Sequence, residues 1–407
     1  MELEQNLLVA AVEKTSMKIF GVGDVGVKLL AELGATEFSA AALVAVNTDA
    51  ASLHASAAPL KFHIQNKLLR GLGSGGDAER SRALAEEQFC ALKSACEDTS
   101  VVFILAGLGG GAGSGISPVL ARAAREAGAL VIAFVTLPFD SEGGHRGAQA
   151  RQSFEQLKAA ADGVICLAGD KIFGVIDENS GLLEILRAAD RLLLDGLRGV
   201  WQLLHRRDFV FVPVNLDSLR AFFQERHAEN SFAHVEGVGA ARSREVVEKI
   251  ISHPLLDAGR ALAEAEAVLV NLTAGKNLTM AEVNRVMAEV KRQCGRAQIV
   301  FGAAMDGALA DRLCVTIIAA RPNAPAKAGE NSRPAAVRGG FTGGHTSPMV
   351  ASALGGSRPR RPGTKPVQGQ LPLTVVSRGR FDKSEPTLHH GEDLDVPTFL
   401  RRGVVLN

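Results

Sequence analysis

The chain has 407 residues, of which 46% are apolar, and a formal net charge of +1, enough for two or three domains with sizeable cores. No apolar run reaches the ~18 residues of a membrane span, and the acidic start MELEQNLLVAAVEK lacks a basic leader region, so neither a span nor a signal peptide is expected. Five cysteines (Cys90, Cys96, Cys166, Cys294, Cys314) show no metal-ligand spacing and read as reduced core thiols of a cytoplasmic protein.

Apolar runs of strand length recur at 17–22 (MKIFGV), 42–47, 101–106, 130–136 and 163–168. Helical patterns separate them at 25–34, 78–96, 115–127 and 147–161. The runs are apolar on both faces, as in a parallel sheet covered by helices. The alternation predicts a doubly wound α/β domain over 16–180, after an N-terminal extension of 1–15. In SGLLEILRAADRLLLDGLRGVWQLLH the leucines recur around much of a helical circumference, predicting one long buried helix over 181–205. Helices at 242–253 and 279–293 and strands at 267–273, 297–305 and 314–320 predict a smaller α+β domain over 206–320. From 321 the composition changes. Residues 321–390 hold nine of the fifteen prolines and eleven Lys/Arg against three Asp/Glu, a net of +8 that leaves residues 1–320 at −6. This predicts a disordered basic linker over 321–391, a solvated spacer or a weak contact for membrane, nucleic acid or acidic neighbours. A short peptide, 392–407, closes the chain.

Two glycine clusters stand out. Gly21, Gly23 and Gly26 after the first strand form a G-x-G-x-x-G, with Asp49 about twenty residues on, as in a dinucleotide-binding fingerprint; a nicotinamide oxidoreductase is therefore one reading. The second cluster, LAGLGGGAGSG at 105–115, is denser and lies between a strand and a helix. Glycine lets backbone N–H groups converge on a ligand, and a helix N-terminus adds donors and partial positive charge, so the pattern suits a phosphate. A dinucleotide fold does not call for this second cluster. The chain lacks G-x-x-x-x-G-K-[ST], which excludes a P-loop NTPase.

In order, VAVNTDA, RGLGSGGD, LGGGAGSG, TLPFDSEGGHR, ISHPLL, VLVNLTAG, FGAAMDGALADRLCVTIIA and the terminal EDLDVPTFLRR resemble the FtsZ family of tubulin-like GTPases of bacterial cell division. The resemblance covers about 17–320 and the tail peptide. It implies that the first four stretches surround one guanine nucleotide, GTP or GDP, with Mg2+ held through phosphates and water rather than by a protein metal site. The base and phosphates would meet Gly23, Asp24, Val25, Gly26, Val27 and Lys28 of the first loop, and Asn47 and Asp49 of the second. Gly109, Gly110, Gly111, Ala112, Gly113, Ser114 and Gly115 would form the phosphate loop. Glu142, with Arg146 as partner, would take the ribose, and Asp190 would accept the ring N–H and amino group of guanine.

Departures from the family pattern are visible. Asp24, Val25 and Val27 replace glycines, Lys28 and Gly169 replace base-contacting asparagines, and Ala112 and Ser114 stand where threonines are usual. Ser114 keeps a hydroxyl for phosphate, and Lys28 is expected to assist through the phosphates. The family's N-x-D-x-x-D loop, which acts on the next subunit's nucleotide, matches Asn215, Asp217 and, in place of the second aspartate, Arg220. Asp217 also reads as a helix N-cap. The resemblance implies a head-to-tail homopolymer for the division ring, hydrolysing GTP slowly, or a structural polymer that binds nucleotide without useful turnover. It further implies that Asp393–Arg402 binds membrane-tethering adaptors through Leu394, Val396, Phe399 and Leu400. The protein is expected in the cytoplasm at mid-cell, with no stable nucleic-acid partner.

Overall fold

The computed structural model describes residues 16–33, 38, 41–65, 73–176, 180–204, 209–212, 214–223, 229–321, 388–389 and 392–393. The chain divides into two units, Met1–Asn331 and Ser332–Asn407. In the second, Leu388–His389 pairs antiparallel with Glu392–Asp393. The rest of the expected linker and adaptor peptide lies outside the described residues.

The first unit opens with the expected alternation. Strands β1 (Met17–Val22), β2 (Ala41–Asn47), β3 (Leu60–His63), β4 (Val101–Gly107), β5 (Leu130–Thr136) and β6 (Gly163–Leu167) form a parallel sheet in the order β3-β2-β1-β4-β5-β6. Helices α1 (Gly23–Glu32), α2 (Ala50–Ala55), α3 (Ala78–Glu87), α4 (Phe89–Ser94), α5 (Gly111–Glu126) and α6 (Gly144–Ala160) connect them. The single helix predicted over 78–96 is broken at Gln88 (φ −104°, ψ 17°). Strand β3 escapes the apolar pattern because its four residues, LKFH, are only partly buried.

Helix α7 (Leu182–Leu204) crosses to the second half, which holds β7 (Phe209–Val212), α8 (Leu216–Phe222), β8 (Glu229–Val238), α9 (Arg242–Ile251), α10 (Arg260–Ala263), β9 (Ala267–Ala274), α11 (Met280–Cys294), β10 (Gln298–Met305) and β11 (Arg312–Arg321). Its strands follow in the order β8-β11-β9-β10-β7, with β11 antiparallel to both β8 and β9. The two sheets meet edge to edge through one pair, Ile165 with Asn230, giving eleven strands in a row. So thin a seam needs support, and α7 supplies it. Leu193, Leu197, Val200 and Trp201 of α7 lie in one apolar core with Phe134 and Ile165 of the first half and Phe232 and Ile318 of the second. Gly199 permits the close approach, since a Cβ there would stand 2.3 Å from the Thr316 side chain. The predicted burial of this helix fails at its first turn, where Leu182 and Leu183 are 69% and 70% exposed.

None of the five cysteines lies in a disulfide, and Cys90 is exposed rather than in the core. Burial pushes the Cys96 thiol up to about 12, so this one is inert.

Candidate nucleotide site

The C-terminal ends of β1 and β4 deliver two helices to the same place. Both α1 and α5 begin inside their glycine clusters, two and four residues earlier than the sequence predicts. Glycine is a poor helix former, so propensity alone ends the helical pattern too soon; packing overrides it. A Cβ on Gly26 would stand 2.2 Å from the Leu105 carbonyl, one on Gly113 2.2 Å from the Gly107 carbonyl, and one on Gly115 2.3 Å from the Ala78 carbonyl. These glycines therefore seat α1 and α5 against β4, and α5 against α3, instead of facing a ligand. Gly110, the N-cap of α5, is different: nothing lies within 4 Å of its missing Cβ.

Neither α1 nor α5 has a side-chain cap. The two N-termini converge, since a Cβ on Gly23 (φ +70°) would lie 2.8 Å from the Gly113 nitrogen. Next to them α2 and α3 are capped by Asp49, which accepts from the Ala51 N–H, and Asp77, which accepts from the Arg80 N–H. Two uncapped helix ends directed at one point present backbone donors and positive dipole to an anion. A cleft of about 780 Å³ opens beside them, lined among others by Gly75, Gly76, Gly109, Gly110, Arg146 and Gln149. Gln149, which the sequence reading did not single out, joins its walls. Its amide donates to the carbonyls of Gly109 (2.9 Å) and Gly76 (3.1 Å) and accepts from the Ala78 N–H.

The other predicted residues fall around this point, in arrangements the sequence could not give. Asn47 donates to Asp24 (2.8 Å) and to Ser52 (3.1 Å), which ties the β2 end to the first turn of α1. Ser114 is fully buried, and its hydroxyl oxygen accepts from the Gly109 N–H (2.8 Å), so it braces the loop where a phosphate contact was expected. Ala112 packs against the apolar core at one side. Glu142 bonds Arg146 (2.7 Å) and accepts from the Phe139 N–H (3.0 Å), holding the turn before α6. Val25 is partly exposed, whereas Val27 is buried in the core under α1. Lys28 was expected to assist through the phosphates; instead its ammonium bonds the Asp190 carboxylate on α7. Asp190 is 6% exposed. Gly169 is buried behind the site, where a Cβ would stand 2.9 Å from the Phe139 nitrogen.

Asn215, Asp217 and Arg220 are not part of this constellation. Asn215 caps α8 by accepting from the Ser218 N–H (2.7 Å), so the cap is Asn215 and not Asp217. Asp217 is exposed in the first turn. Arg220 donates to the Gly128 carbonyl (3.0 Å), just past the C-terminal end of α5. A second cleft there, about 630 Å³, is lined by Arg220, Gly128 and Asp98 among others. Helix α5 has 16 residues, about 24 Å at 1.5 Å per residue, and it separates the two places. Among the described residues no group of three or more His, Cys, Asp or Glu side chains could hold a metal ion, and no helix is long and apolar enough to cross a membrane.

A doubly wound domain with two convergent helix N-termini at its strand ends, joined by one long helix to a mixed sheet, defines a two-part α/β protein with a candidate anion site. Residues 16–177 match the Tubulin/FtsZ family, GTPase domain, and residues 232–321 match the FtsZ family, C-terminal domain. The fold is similar to that of a solved FtsZ dimer, empty, from M. jannaschii, at 29% identity and a TM-score of 0.70, covering 78% of this chain and 92% of that one. A tryptophan-to-tyrosine mutant of M. jannaschii FtsZ is 30% identical, with a TM-score of 0.68, covering 78% and 95%. The GTPgS-bound protofilament of CetZ2 from Haloferax volcanii shares the fold at 22% identity and a TM-score of 0.60, covering 75% and 92%. The chain belongs to the Tubulin/FtsZ family, whose members are GTPases that bind GTP and GDP.

Proposed function

We propose that this protein binds GTP at the convergent ends of α1 and α5 and polymerises head to tail, each subunit completing the hydrolytic site of its neighbour, to build the bacterial division ring at mid-cell. The observation that carries the reading is the length of α5. The phosphate-binding donors lie at one end of that helix and Asp217 and Arg220 at the other, about 24 Å away. No side-chain motion within one chain closes such a gap. A second copy stacked along the α5 axis would bring its own α8 onto the first copy's nucleotide. In this reading 16–180 is the nucleotide domain, 181–205 the central helix, 206–320 the C-terminal domain, 321–391 a basic spacer and 392–407 the adaptor peptide. Asp24, Asn47, Glu142, Arg146 and Asp190 meet the nucleotide, and Mg2+ is held by its phosphate oxygens and water.

The test is phosphate release measured against protein concentration, with sedimentation in GTP and in GDP. A critical concentration for release, matched by GTP-dependent pelleting, supports the proposal; release proportional to concentration in an unpelleted protein overturns it. Arg220 at the second aspartate favours a second reading, in which the polymer forms but turns over GTP very slowly. GTP-dependent pelleting without a matching rise in phosphate is its signature.

A further inference from the structure

A slot of about 270 Å³ runs along the later turns of α5, between α3 and α6. Arg82 of α3 and Arg122 and Arg125 of α5 stand around it, each half-buried, over an apolar lining that includes Pro118 of α5 and Ala160 of α6. We propose that this slot is the docking site of the chain's own acidic N-terminal segment, residues 2–12 (ELEQNLLVAAV), with Glu2 and Glu4 on the arginines and the leucines against the apolar lining.

Three observations carry it. First, the guanidinium groups are held in place without being used up. Arg122 bonds Glu86 and lies over the Phe89 ring, 4.6 Å from its centroid. Arg125 donates to the Ala159 carbonyl (3.0 Å), and Arg82 pairs loosely with Glu79 at 3.9 Å. A guanidinium carries five N–H donors, so each keeps donors for a carboxylate, and side chains fixed beforehand cost less to order on binding. Secondly, the charges are complementary. Three arginines against Glu86 leave the slot at +2, in a body where residues 1–320 carry −6. Residues 1–15 hold Glu2, Glu4 and Glu13 against Lys14, a net of −2. Thirdly, the segment is tethered within reach. Ser16 lines a cleft with Ala127 and Gly128, just past the C-terminal end of α5. Pro118 lies eight residues before Glu126, the last residue of α5, about 12 Å along the axis. Glu4 precedes Ser16 by twelve residues, which span about 18 Å as helix and about 40 Å when extended. Either covers the distance. One exposed ion pair is worth little, but a tether of this length gives an effective concentration in the millimolar range, so a few weak contacts together suffice. Because Ser16 also lines the Arg220 cleft, docking draws the segment away from that end of α5.

The experiment is hydrogen exchange of residues 2–12 in the full chain, with disulfide trapping beside it. Docking should slow these amides by about tenfold or more relative to a synthetic peptide of residues 1–15, and added salt at about 0.5 M should remove most of that protection. Glu2→Gln with Glu4→Gln, and separately Arg82→Gln with Arg125→Gln, should each return exchange to the peptide's rate with the melting temperature little changed. Trapping leaves every arginine in place, so it decides the matter even where the arginine variants are unstable. In a Cys90→Ser background, Glu4→Cys and Gln156→Cys, the latter beside the slot on α6, should close a disulfide within one chain at a rate independent of protein concentration. Glu4→Cys with Lys291→Cys, on α11 of the other half, should not. Exchange of residues 2–12 at the peptide's rate in the unaltered chain would overturn the proposal, as would protection that survives both pairs of substitutions. A disulfide that forms only between chains would give the slot to the segment of a second copy and overturn docking within one chain.

Discussion

The two halves of the first unit handle polarity in opposite ways. In the nucleotide half, the polar groups at the strand ends are largely backbone: two helix N-termini without side-chain caps, seated by glycines packed against neighbouring carbonyls. The C-terminal half closes its polar groups on one another. Arg242, 3% exposed, bonds Glu282 through Nε and Nη2 and Asn277 through Nη1 and Nη2, while Glu282 completes a capping box with Thr279 at the head of α11. The difference teaches how one chain carries both a binding site and a brace. Donors meant for a ligand are held by shape alone, so they stay open; donors that hold structure are satisfied internally and become costly to disturb.

The sharpest way to test that contrast is Arg242→Ala. It leaves the Glu282 carboxylate partly buried without its partner, and truncating one side of a buried pair costs about 3–5 kcal/mol. Urea melts should show that loss, while the folded fraction binds nucleotide as before. The Arg242 bond holds the Glu282 carboxyl down to about 2, so this pair weakens only in strong acid. A loss below about 1 kcal/mol would mean that the C-terminal half is not braced this way.

Gly113→Ala and Gly110→Ala probe the other half. At Gly113 the new methyl meets the Gly107 carbonyl at 2.2 Å, and forcing that overlap should cost about 1–3 kcal/mol or more. At Gly110 the methyl enters open space with φ −92°, so stability should hold within about 0.5 kcal/mol while phosphate affinity falls. Equal effects on melting and binding from the two variants would erase the distinction between seating glycines and the ligand-facing one.

Acid separates the halves next. His253 accepts the Leu255 N–H at its Nδ1 (3.2 Å), capping the turn Pro254–Leu256, and burial first, then the neighbouring His234, pulls its pKa down to about 4. An unfolded histidine takes a proton near 6.5, roughly, whereas the folded one resists until about 4. Between these values the unfolded state binds more protons, so stability declines as the pH is lowered through that window. Replacing His253 with Asn, which keeps an acceptor without titrating, should flatten the decline. An unchanged slope would assign it to other groups.

Much of the fold was legible because its strands are apolar runs between turn signals, and the ordered glycine motifs pointed to the candidate site. What sequence could not give was which way each group would turn. Six glycines in eleven residues look like one phosphate cradle, yet Gly113 and Gly115 serve helix packing and Gly110 is the member with open space. Lys28 and Asp190 were both singled out, but nothing in their 162-residue separation reveals that they meet. Gln149 was missed for the same reason: its neighbours come from loops distant in sequence, Gly76 and Gly109. Strand β8 was missed because His234 and Glu236 interrupt its apolar side chains, while Phe232, Ala233 and Val235 are buried once β11 pairs alongside.

Arg220 carries a small expected effect on stability and the most informative one on turnover. Its guanidinium donates to the Gly128 carbonyl from an exposed position, so Arg220→Ala should cost less than about 1 kcal/mol in a melt. In the polymer the same group would approach the neighbour's γ-phosphate. A guanidinium stays charged at accessible pH and cannot take the proton of an attacking water. If Arg220 pairs with the phosphate and locks the interface, Arg220→Asp should raise turnover per polymerised subunit and shorten filament lifetime, and Arg220→Ala should change turnover little. If it stabilises transition-state charge instead, as an arginine finger does, a carboxylate must place the water. Asp217 is exposed one turn back on α8, and Asp98 lines the same cleft. Arg220→Ala would then lower turnover tenfold or more with polymer mass unchanged, the lower part of an arginine finger's range being larger still. In that case Asp98→Asn and Asp217→Asn, compared at equal polymer mass, identify the carboxylate by whichever abolishes the remaining rate. A chain in which none of these substitutions alters turnover or polymer lifetime would have its hydrolytic groups elsewhere, and the far end of α5 would be a contact surface only.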